Sequence, residues 1–212
     1  MSRSATSSDT AVADSPPRLL RFDNLYRFTD AMMLAGAALT PMRGRTAGRL
    51  IALCLSRSRP QWPFLAWAVT LAEVHGLRMK LATGNRTVGE KLGYRSAGEV
   101  FLRAAYERWY PPLDGRRVAV TPPDVDICEQ TLAVWIAAAL ARRRCDRAEA
   151  IGLRSPCLSE VPAAHISGQI RNLGWNAMST TVRGQRVVRL DKAEYGQLLT
   201  WLRQWIPEPV WA

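Results

Sequence analysis

The chain has 212 residues, of which 48% are hydrophobic and 22% are charged, so it can bury a core without disulfides or metal ions. Its 29 basic residues exceed its 18 acidic ones, a formal net charge of +11, and 26 of the basic residues are arginine. This composition excludes collagen-like repeats, coiled coils and wholesale disorder, and it favours a polyanionic partner, because arginine binds phosphate bidentately. Codon bias towards arginine in a GC-rich genome is the alternative, but it leaves the shortage of acidic residues unexplained.

Cysteine and histidine spacing argues against a zinc site. The four cysteines are scattered and there are only two histidines, so the chain has no Cys-x-x-Cys pair and no histidine cluster. Free thiols in a chain of this size fit a reducing compartment. The longest apolar stretches, 31–39 and 132–141, are shorter than the roughly 20 residues that cross a bilayer, so we expect a soluble protein with no membrane partner.

Residues 1–18 are predicted to form a flexible tail. They are rich in Ser, Thr and Ala, end in Pro16-Pro17, and lack the apolar segment of a secretory signal. An organellar transit peptide is an alternative, against which Asp9 and Asp14 count. Residues 19–212 are then expected to form one domain.

The first half of this domain is expected at about residues 40–122. A nearly all-apolar helix is predicted to start at Thr40-Pro41, run to Leu55 and stop before Pro60. After it we expect a strand at 62–69, a helix at 70–75 ended by Gly76, short strands within 77–94, a helix at 96–109, and a strand at 117–120 after the turn Asp114-Gly115.

The second half is expected at about residues 123–212 and repeats this order. Asp126 is a candidate cap for a second nearly all-apolar helix at 130–141. The later elements are a strand at 150–154, a helix at 160–173, a hairpin of 176–182 and 185–190 around Arg183-Gly184, and a helix at 193–205. The two apolar helices lie about 80 residues apart, which indicates an internal duplication.

The two apolar segments, residues 50–58 and 132–140, resemble the signature helices of the LAGLIDADG homing endonucleases. The run from Glu107 to Val118 and the Pro-rich segment after it are similar to the "WYP…GKK…P…LAxW" run of that family. Residues 152–155, Leu173-Gly174 and the strand 186–190 then follow in the family's order, so the similarity spans about residues 44–212.

This resemblance implies an α+β fold of two pseudo-symmetric αββαββα halves with antiparallel sheets. The signature helices would cross at the centre, and the two sheets would form a saddle on nucleic acid. Ala52 and Ala133 occupy positions where the motif has a small residue, which allows two helices to approach closely.

The resemblance also implies that no cleavage centre remains. In the family, each signature helix ends in an acidic residue followed by Gly, and the two carboxylates hold divalent metal ions against the scissile phosphates. Ser56-Arg57-Ser58 and Ala138-Ala139-Leu140 match these positions. Because neither Arg nor Ala ligates a metal ion, we expect no catalytic residues, no bound metal, no cofactor and no enzymatic activity.

Basic residues at the helix ends and on the strands are the predicted nucleic-acid contacts. Cations suit a helix C-terminus, where the helix dipole is negative, and a phosphate backbone would pass there. The predicted contact residues are Arg57, Arg59, Arg78, Lys80, Arg86, Arg142, Arg143, Arg144, Arg183 and Arg189. An ordinary solvated basic surface is the alternative.

In the second-half hairpin, a period of two residues places Gln185, Val187 and Arg189 on one face, which we expect to be the open one. Arg186 then belongs to the opposite face. Trp175 and Trp211 are the tryptophans predicted to be exposed and able to stack on bases.

From the resemblance, the expected function is a catalytically inactive, RNA-binding structural subunit of a mitochondrial or other organellar ribosome. Such a protein would contact ribosomal RNA and neighbouring subunits, as a monomer within the particle. An intron-splicing maturase and a DNA-binding regulator are alternatives. An active endonuclease is a further one, and it would need acids from elsewhere, such as Asp146, Glu149 and Glu73.

Overall fold

The computed structural model of the protein describes residues 20–42, 50–82, 91–142, 151–155 and 158–212. The predicted tail, residues 1–18, lies outside these ranges. Among the helices that the structure describes, none is both long and apolar enough to cross a membrane.

The first half contains three helices and a four-stranded antiparallel sheet with the strand order β1-β2-β4-β3. A small hairpin follows it, and its turn residues Asp114 and Gly115 both have positive φ, as the predicted turn requires. In chain order the elements are α1 Leu25–Leu34, β1 Ala38–Pro41, β2 Ile51–Ser58, α2 Trp62–Val74, β3 Met79–Leu81, β4 Lys91–Ser96, α3 Leu102–Trp109, β5 Pro112–Leu113 and β6 Arg116–Arg117.

The second half repeats this plan with three helices and an antiparallel sheet of order β7-β9-β8. Its elements are α4 Glu129–Ala141, β7 Ile151–Leu153, α5 Glu160–Asn172, β8 Ala177–Val182, β9 Gln185–Leu190 and α6 Tyr195–Arg203. The order β7-β9-β8 corresponds to β2-β4-β3 of the first half. The two halves are therefore pseudo-symmetric, as predicted, and residues 143–150 lie outside the described ranges.

The centre of the molecule is the packing of α1 against α4. Helix α4 is buried from Thr131 to Leu140, and α1 is buried from Phe28 to Leu34. Helix α4 has no polar face because α1, α2 and β7 all pack around it. Ala133, predicted to lie at the helix crossing, is fully buried in α4.

The predicted helix at 40–55 is wrong, because this segment contributes strands β1 and β2. A short apolar run fits a buried strand as well as a buried helix, and β2 is an interior strand between β1 and β4. Ala52 therefore lies in a strand and not at a helix crossing. The partner of α4 is α1, so the first half begins before residue 40.

Helix α1 was not predicted because its sequence mixes polar and apolar residues. The structure satisfies the buried polar groups: the Thr29 hydroxyl donates to the carbonyl oxygens of Leu25 and Tyr26. The Asp30 carboxylate accepts hydrogen bonds from Arg108 and from the Trp109 indole. These partners are supplied by α3, almost 80 residues further along the chain.

Two smaller predictions also need correction. Residues 62–69 are not a strand but the first part of α2, which carries a proline in its first turn and ends before Gly76. Asp126 does not cap α4: the N-cap is Cys128, and Asp126 forms an ion pair with Arg27. In the second half the predicted strand, helices and hairpin are confirmed to within a few residues.

Candidate nucleic-acid interface

Each sheet has one face on the core and one face turned away from it. In β2, Leu53 and Leu55 belong to the core cluster, so Cys54 and Ser56 lie on the other face. Directly paired residues share a face, and Arg95 pairs with both Cys54 and Lys80. Lys91, opposite Ser58, belongs to the same face. The open face of the first sheet is therefore basic.

The open face of the second sheet carries the residues predicted for it. Val188 and Leu190 of β9 join the core, which places Gln185, Val187 and Arg189 on the open face. Arg189 is exposed and lies between Gly152 and Met178 in the register. Arg186 lies on the opposite face, where it forms an ion pair of 3.1 Å with Glu160.

Acidic residues are missing from both sheets. None of the described strands β1–β4 and β7–β9 contains Asp or Glu. The same strands contain the basic residues Arg57, Lys80, Lys91, Arg95, Arg186 and Arg189. Four of them, Lys80, Lys91, Arg95 and Arg189, lie on the open faces and form no ion pair with a described carboxylate, so these faces present a positive surface to a polyanion.

Arg57 differs from the other basic residues of the strands because it points into the protein. It is 9% exposed, and it donates hydrogen bonds to the carbonyl oxygens of Ala35 at 2.5 Å and Gly36 at 3.1 Å. A third bond goes to the carbonyl oxygen of Ser56, and the guanidinium lies over the Phe64 ring. Arg57 therefore satisfies the carbonyl groups at the C-terminal end of α1, where the helix dipole is negative.

Arg142, the residue that ends α4, brings a second guanidinium to the same place. A Cβ atom at Gly36, whose φ is +93°, would lie 3.5 Å from Nη2 of Arg57 and 3.7 Å from Nη1 of Arg142. Burial, together with a smaller effect of the Arg142 charge, lowers the pKa of Arg57 to about 10. The ends of the two central helices therefore meet at a pair of like charges.

Arg154, just after β7, adds a third cation. Its backbone carbonyl accepts a hydrogen bond of 3.2 Å from the Trp135 indole, which fixes this segment against α4. Arg142 is an exposed residue, but protein atoms crowd its guanidinium and lower its pKa, and the charge of Arg154 adds to this effect. Among the described residues, no carboxylate forms an ion pair with Arg57, Arg142 or Arg154.

The ends of the two central helices contain no acidic residue. Helix α1 ends at Leu34 and is followed by Ala35 and Gly36, while the last turn of α4 is formed by Ala138 to Ala141. Within the described ranges, no three His, Cys, Asp or Glu residues lie close enough together to hold a metal ion. Residues 56–58 end a strand, so the predicted match of Ser56-Arg57-Ser58 to the end of the first signature helix is wrong. The first central helix is α1, and the residues at its end are Ala35 and Gly36.

Comparison with known proteins identifies the fold. No protein-family model and no curated protein matches the chain. Among solved structures, the homing endonuclease I-WcaI bound to its DNA recognition sequence matches with a TM-score of 0.60 and 9% identity, over 90% of this chain and 85% of that chain. The protein has the LAGLIDADG homing endonuclease fold.

Two structures of the homing endonuclease I-DmoI also match. Mesophilic variants of I-DmoI give a TM-score of 0.48 at 9% identity, over 84% of this chain and 96% of that chain. A variant in complex with its target DNA in the presence of magnesium gives 0.47 at 8% identity, over the same shares of the two chains. The predicted α+β class with antiparallel sheets is confirmed by the elements of the structure and by the match to I-WcaI, and the described elements of the first half are in the predicted order αββαββα.

The LAGLIDADG fold places the ten predicted contact residues in different settings. Arg57 is a buried residue of β2 and not an exposed helix end, because the segment is a strand whose Arg57 side faces the core. Arg59 follows β2 in an exposed 3-10 turn and likewise does not end a helix. The others divide into Arg78, Lys80, Arg142, Arg183 and Arg189, which are all exposed, and Arg86, Arg143 and Arg144, which lie outside the described residues.

Three basic residues of the candidate interface were not predicted from the sequence. Lys91 and Arg95 lie on the open face of β4, and Arg154 follows β7 and is close enough for its charge to act on Arg142. The signal for the first two was present, since they alternate with Leu92 and Tyr94, which pack against the core. Arg95 also has a buried Nε without a hydrogen-bond partner in the structure.

The predicted exposed tryptophans are not exposed. Trp211 is 6% exposed and donates its indole N–H to the carbonyl oxygen of Ile206. Trp175 is half-buried and packs edge-on against Trp201, with ring centroids 5.5 Å apart. The prediction failed because the C-terminal segment folds back on the core, and Trp62, at 39%, is an exposed tryptophan instead.

Proposed function

We propose that the protein binds nucleic acid through the open faces of its two sheets and does not cleave it. The observation that carries the proposal is the charge of these faces: Lys80, Lys91, Arg95 and Arg189 are present, and the described strands contain no acid. Such a surface gains affinity by releasing the counterions of a phosphate backbone.

The ends of the central helices support the absence of cleavage. Homing endonucleases resembling this chain need carboxylates there to hold divalent metal ions, and this chain has Ala35 at the end of α1 and Ala138 and Ala139 in the last turn of α4. A metal ion at this place would also meet the positive charges of Arg57 and Arg142.

In its narrower form the proposal names RNA as the target. The protein would be a structural subunit of an organellar ribosome, in the mitochondrion, where it binds ribosomal RNA and neighbouring subunits as a monomer. This rests on the resemblance to degenerate LAGLIDADG proteins that bind RNA. The physical reason is that a permanent subunit needs phosphate affinity without turnover, which a positive surface without metal ligands provides.

A DNA-binding regulator is the second candidate. It is favoured by the similarity in fold to I-WcaI, a homing endonuclease solved with its DNA recognition sequence. A splicing maturase is a variant of the RNA proposal. Duplex shape separates the candidates, because an A-form RNA duplex offers a shallow minor groove and 2′-hydroxyls, whereas B-form DNA offers a readable major groove.

The proposal is tested by measuring affinity and cleavage together. Labelled duplex DNA, duplex RNA and folded ribosomal RNA fragments are titrated with the full chain, with EDTA and with Mg²⁺. We expect binding in both conditions and intact nucleic acid after prolonged incubation with Mg²⁺. Magnesium-dependent cleavage would overturn the inactive assignment, and no binding even at low salt would overturn nucleic-acid binding itself.

Two variants show whether the open faces carry the affinity. The triple variant Lys80→Ala, Arg95→Ala, Arg189→Ala removes three charges from the open faces. The matched control Arg103→Ala, Arg116→Ala, Arg203→Ala removes three charges from α3, the β5–β6 hairpin and α6. We expect only the first variant to bind nucleic acid weakly. Equal losses of affinity in both variants would show that net charge alone causes the effect.

A further inference from the structure

We propose that Arg57, Arg142 and Arg154 form a binding site for one phosphate group of a nucleic-acid backbone, and that this site works without a divalent metal ion. This inference deepens the proposed function and rests on it, because it names the residues that would bind one phosphate group of the nucleic acid. It concerns the ends of α1 and α4.

Arg57 is held rigidly for this role. Its guanidinium donates to three carbonyl oxygens, those of Ala35, Gly36 and Ser56, and lies 5.6 Å above the Phe64 ring centroid. A guanidinium has five N–H groups, so these three bonds leave two for a ligand. An arginine that is already oriented loses little freedom on binding an anion.

The backbone at Gly36 lies against both guanidinium groups. Gly36 has no side chain, and a Cβ atom there would stand 3.5 Å from Nη2 of Arg57 and 3.7 Å from Nη1 of Arg142. The positive φ of Gly36 also favours glycine at this position. The backbone thus approaches both guanidinium groups closely without a side chain between them.

Arg142 and Arg154 supply donors that the described part of the protein does not use. Neither side chain makes a hydrogen bond or ion pair within the described residues, while the backbone of Arg154 is fixed by the indole of Trp135. Burial lowers the pKa of Arg57 and of Arg142, and repulsion from a neighbouring cation, Arg142 for the first and Arg154 for the second, adds to this lowering. An anion between them relieves this repulsion, and a metal cation increases it.

Phosphate is the anion that fits the chemistry. Arginine binds phosphate oxygens through paired, charge-assisted hydrogen bonds, and several arginines can share the oxygens of one group. A backbone diester and a terminal or free phosphate share this chemistry. Arg57 belongs to β2 and Arg154 follows β7, and both sheets carry basic open faces, which favours the diester.

The test measures phosphate binding first. The full chain is titrated with inorganic phosphate at low ionic strength in EDTA by calorimetry, as the parent, as Arg142→Gln/Arg154→Gln, and as the control Arg116→Gln/Arg203→Gln. The control removes two charges from the β5–β6 hairpin and the end of α6. We expect phosphate binding in the parent and the control and none in the first variant. Equal binding by all three proteins would overturn the site.

The second measurement separates a backbone phosphate from a terminal one. Oligonucleotides that carry one neutral methylphosphonate linkage, moved along the strand, are compared with oligonucleotides that differ in a 5′-phosphate. We expect one internal linkage whose neutralisation weakens binding to the parent about tenfold, the effect of one charge-assisted contact, and does not weaken binding to Arg142→Gln/Arg154→Gln. Sensitivity only to the 5′-phosphate would overturn the backbone assignment.

Failure of this site and failure of the proposed function give different results. If the parent binds nucleic acid tightly but no linkage depends on Arg142 and Arg154, the phosphate site is wrong and nucleic-acid binding stands. If the parent binds inorganic phosphate but no nucleic acid, both the proposed function and the backbone assignment are overturned. Folding is checked for every protein by its thermal unfolding midpoint.

Discussion

The guanidinium of Arg57 in β2 donates a hydrogen bond of 2.5 Å to the carbonyl oxygen of Ala35, the residue that follows α1. This bond joins the first sheet to the end of a central helix. It also places a positive charge beside Ala35 and Gly36, at the end of this helix. The two residues therefore connect the stability of the fold with the electrostatics of the candidate interface.

Arg57→Met tests the structural part of this connection. The change keeps most of the side-chain volume but leaves the carbonyl groups of Ala35 and Gly36 without their donor. We expect the free energy of unfolding to fall by about 2–4 kcal/mol, since unsatisfied buried groups and lost charged hydrogen bonds both contribute. Urea denaturation measures this, and Arg116→Met is the matched control on the exposed hairpin. Equal stability of parent and Arg57→Met would contradict the role.

The buried pair of Asp30 and Arg108 gives a second prediction. Arg108 donates to Asp30 at 2.5 Å, and the Trp109 indole donates to the same oxygen at 2.8 Å. Removing Asp30 leaves the buried Trp109 indole without its acceptor and leaves Arg108 paired only with Asp124, so we expect Asp30→Ala to lose about 2–4 kcal/mol of unfolding free energy. Asp30→Asn should lose less, because its amide oxygen still accepts from Trp109.

Asp124 provides the control for this pair. It also binds Arg108, at 2.9 Å, but its side chain is 69% exposed. We expect Asp124→Ala to have a much smaller effect on the urea midpoint than Asp30→Ala, because solvent replaces the lost contact. If the two variants lose equal stability, burial is not what makes Asp30 important.

His75 predicts a pH dependence of stability. Its Nε2 accepts a hydrogen bond from the Phe22 N–H, and its ring stacks on Phe28 with centroids 4.5 Å apart. Burial lowers the pKa of His75, and the charge of Arg21 lowers it further. The folded pKa is therefore below the unfolded value of about 6.5, so the contribution is fully present above pH 6.5 and is lost as the pH falls through the folded pKa.

The experiment compares unfolding free energies between pH 7 and pH 5 for the parent and for His75→Gln. The parent should lose stability as the pH falls, and His75→Gln should lose less over the same interval. His165→Gln is the control, because His165 is an exposed histidine of α5 whose Nε2 lies near Gln169. An equal loss in the parent and in His75→Gln would show that His75 does not cause the pH dependence.

The basic open faces predict a salt dependence of nucleic-acid affinity, and its slope gives the number of phosphate contacts. Each phosphate contact contributes about 0.7–0.9 to the slope of log affinity against log salt concentration. Lys80→Ala, Arg95→Ala and Arg189→Ala together should therefore lower this slope by about 2–3 units, measured by fluorescence anisotropy between low and physiological salt. A weaker affinity with an unchanged slope would mean that these residues do not contact phosphates.

The second half could be predicted from sequence because its signals are local. Gly174 and the pair Arg183-Gly184 adopt positive φ where a helix end and a hairpin turn were expected, and the strands alternate between core and solvent. The first half could not be predicted in the same way. Asp30 in α1 finds its partners in α3, and no pattern within α1 reveals them.

The candidate nucleic-acid interface could likewise be predicted only in part from the sequence. Arg57 was expected to contact nucleic acid from a helix end, whereas the structure buries it in a strand beside Ala35. Arg154 was missed because its position depends on the packing of β7 against α4, whereas Arg95 was missed although its alternation with Leu92 and Tyr94 is visible in the sequence. Charge composition predicted a polyanionic partner, but the arrangement of the charges required tertiary structure.

The central claim is that this LAGLIDADG fold binds nucleic acid on its sheets and leaves it intact. Ultraviolet crosslinking of the native protein, followed by sequencing of the nucleic acid and identification of the crosslinked peptides, tests it most directly. We expect intact ribosomal RNA crosslinked to peptides of β3, β4 and β9, and sedimentation with a ribosomal subunit. Cleaved nucleic acid, or crosslinks confined to α5 and α6, would contradict the account.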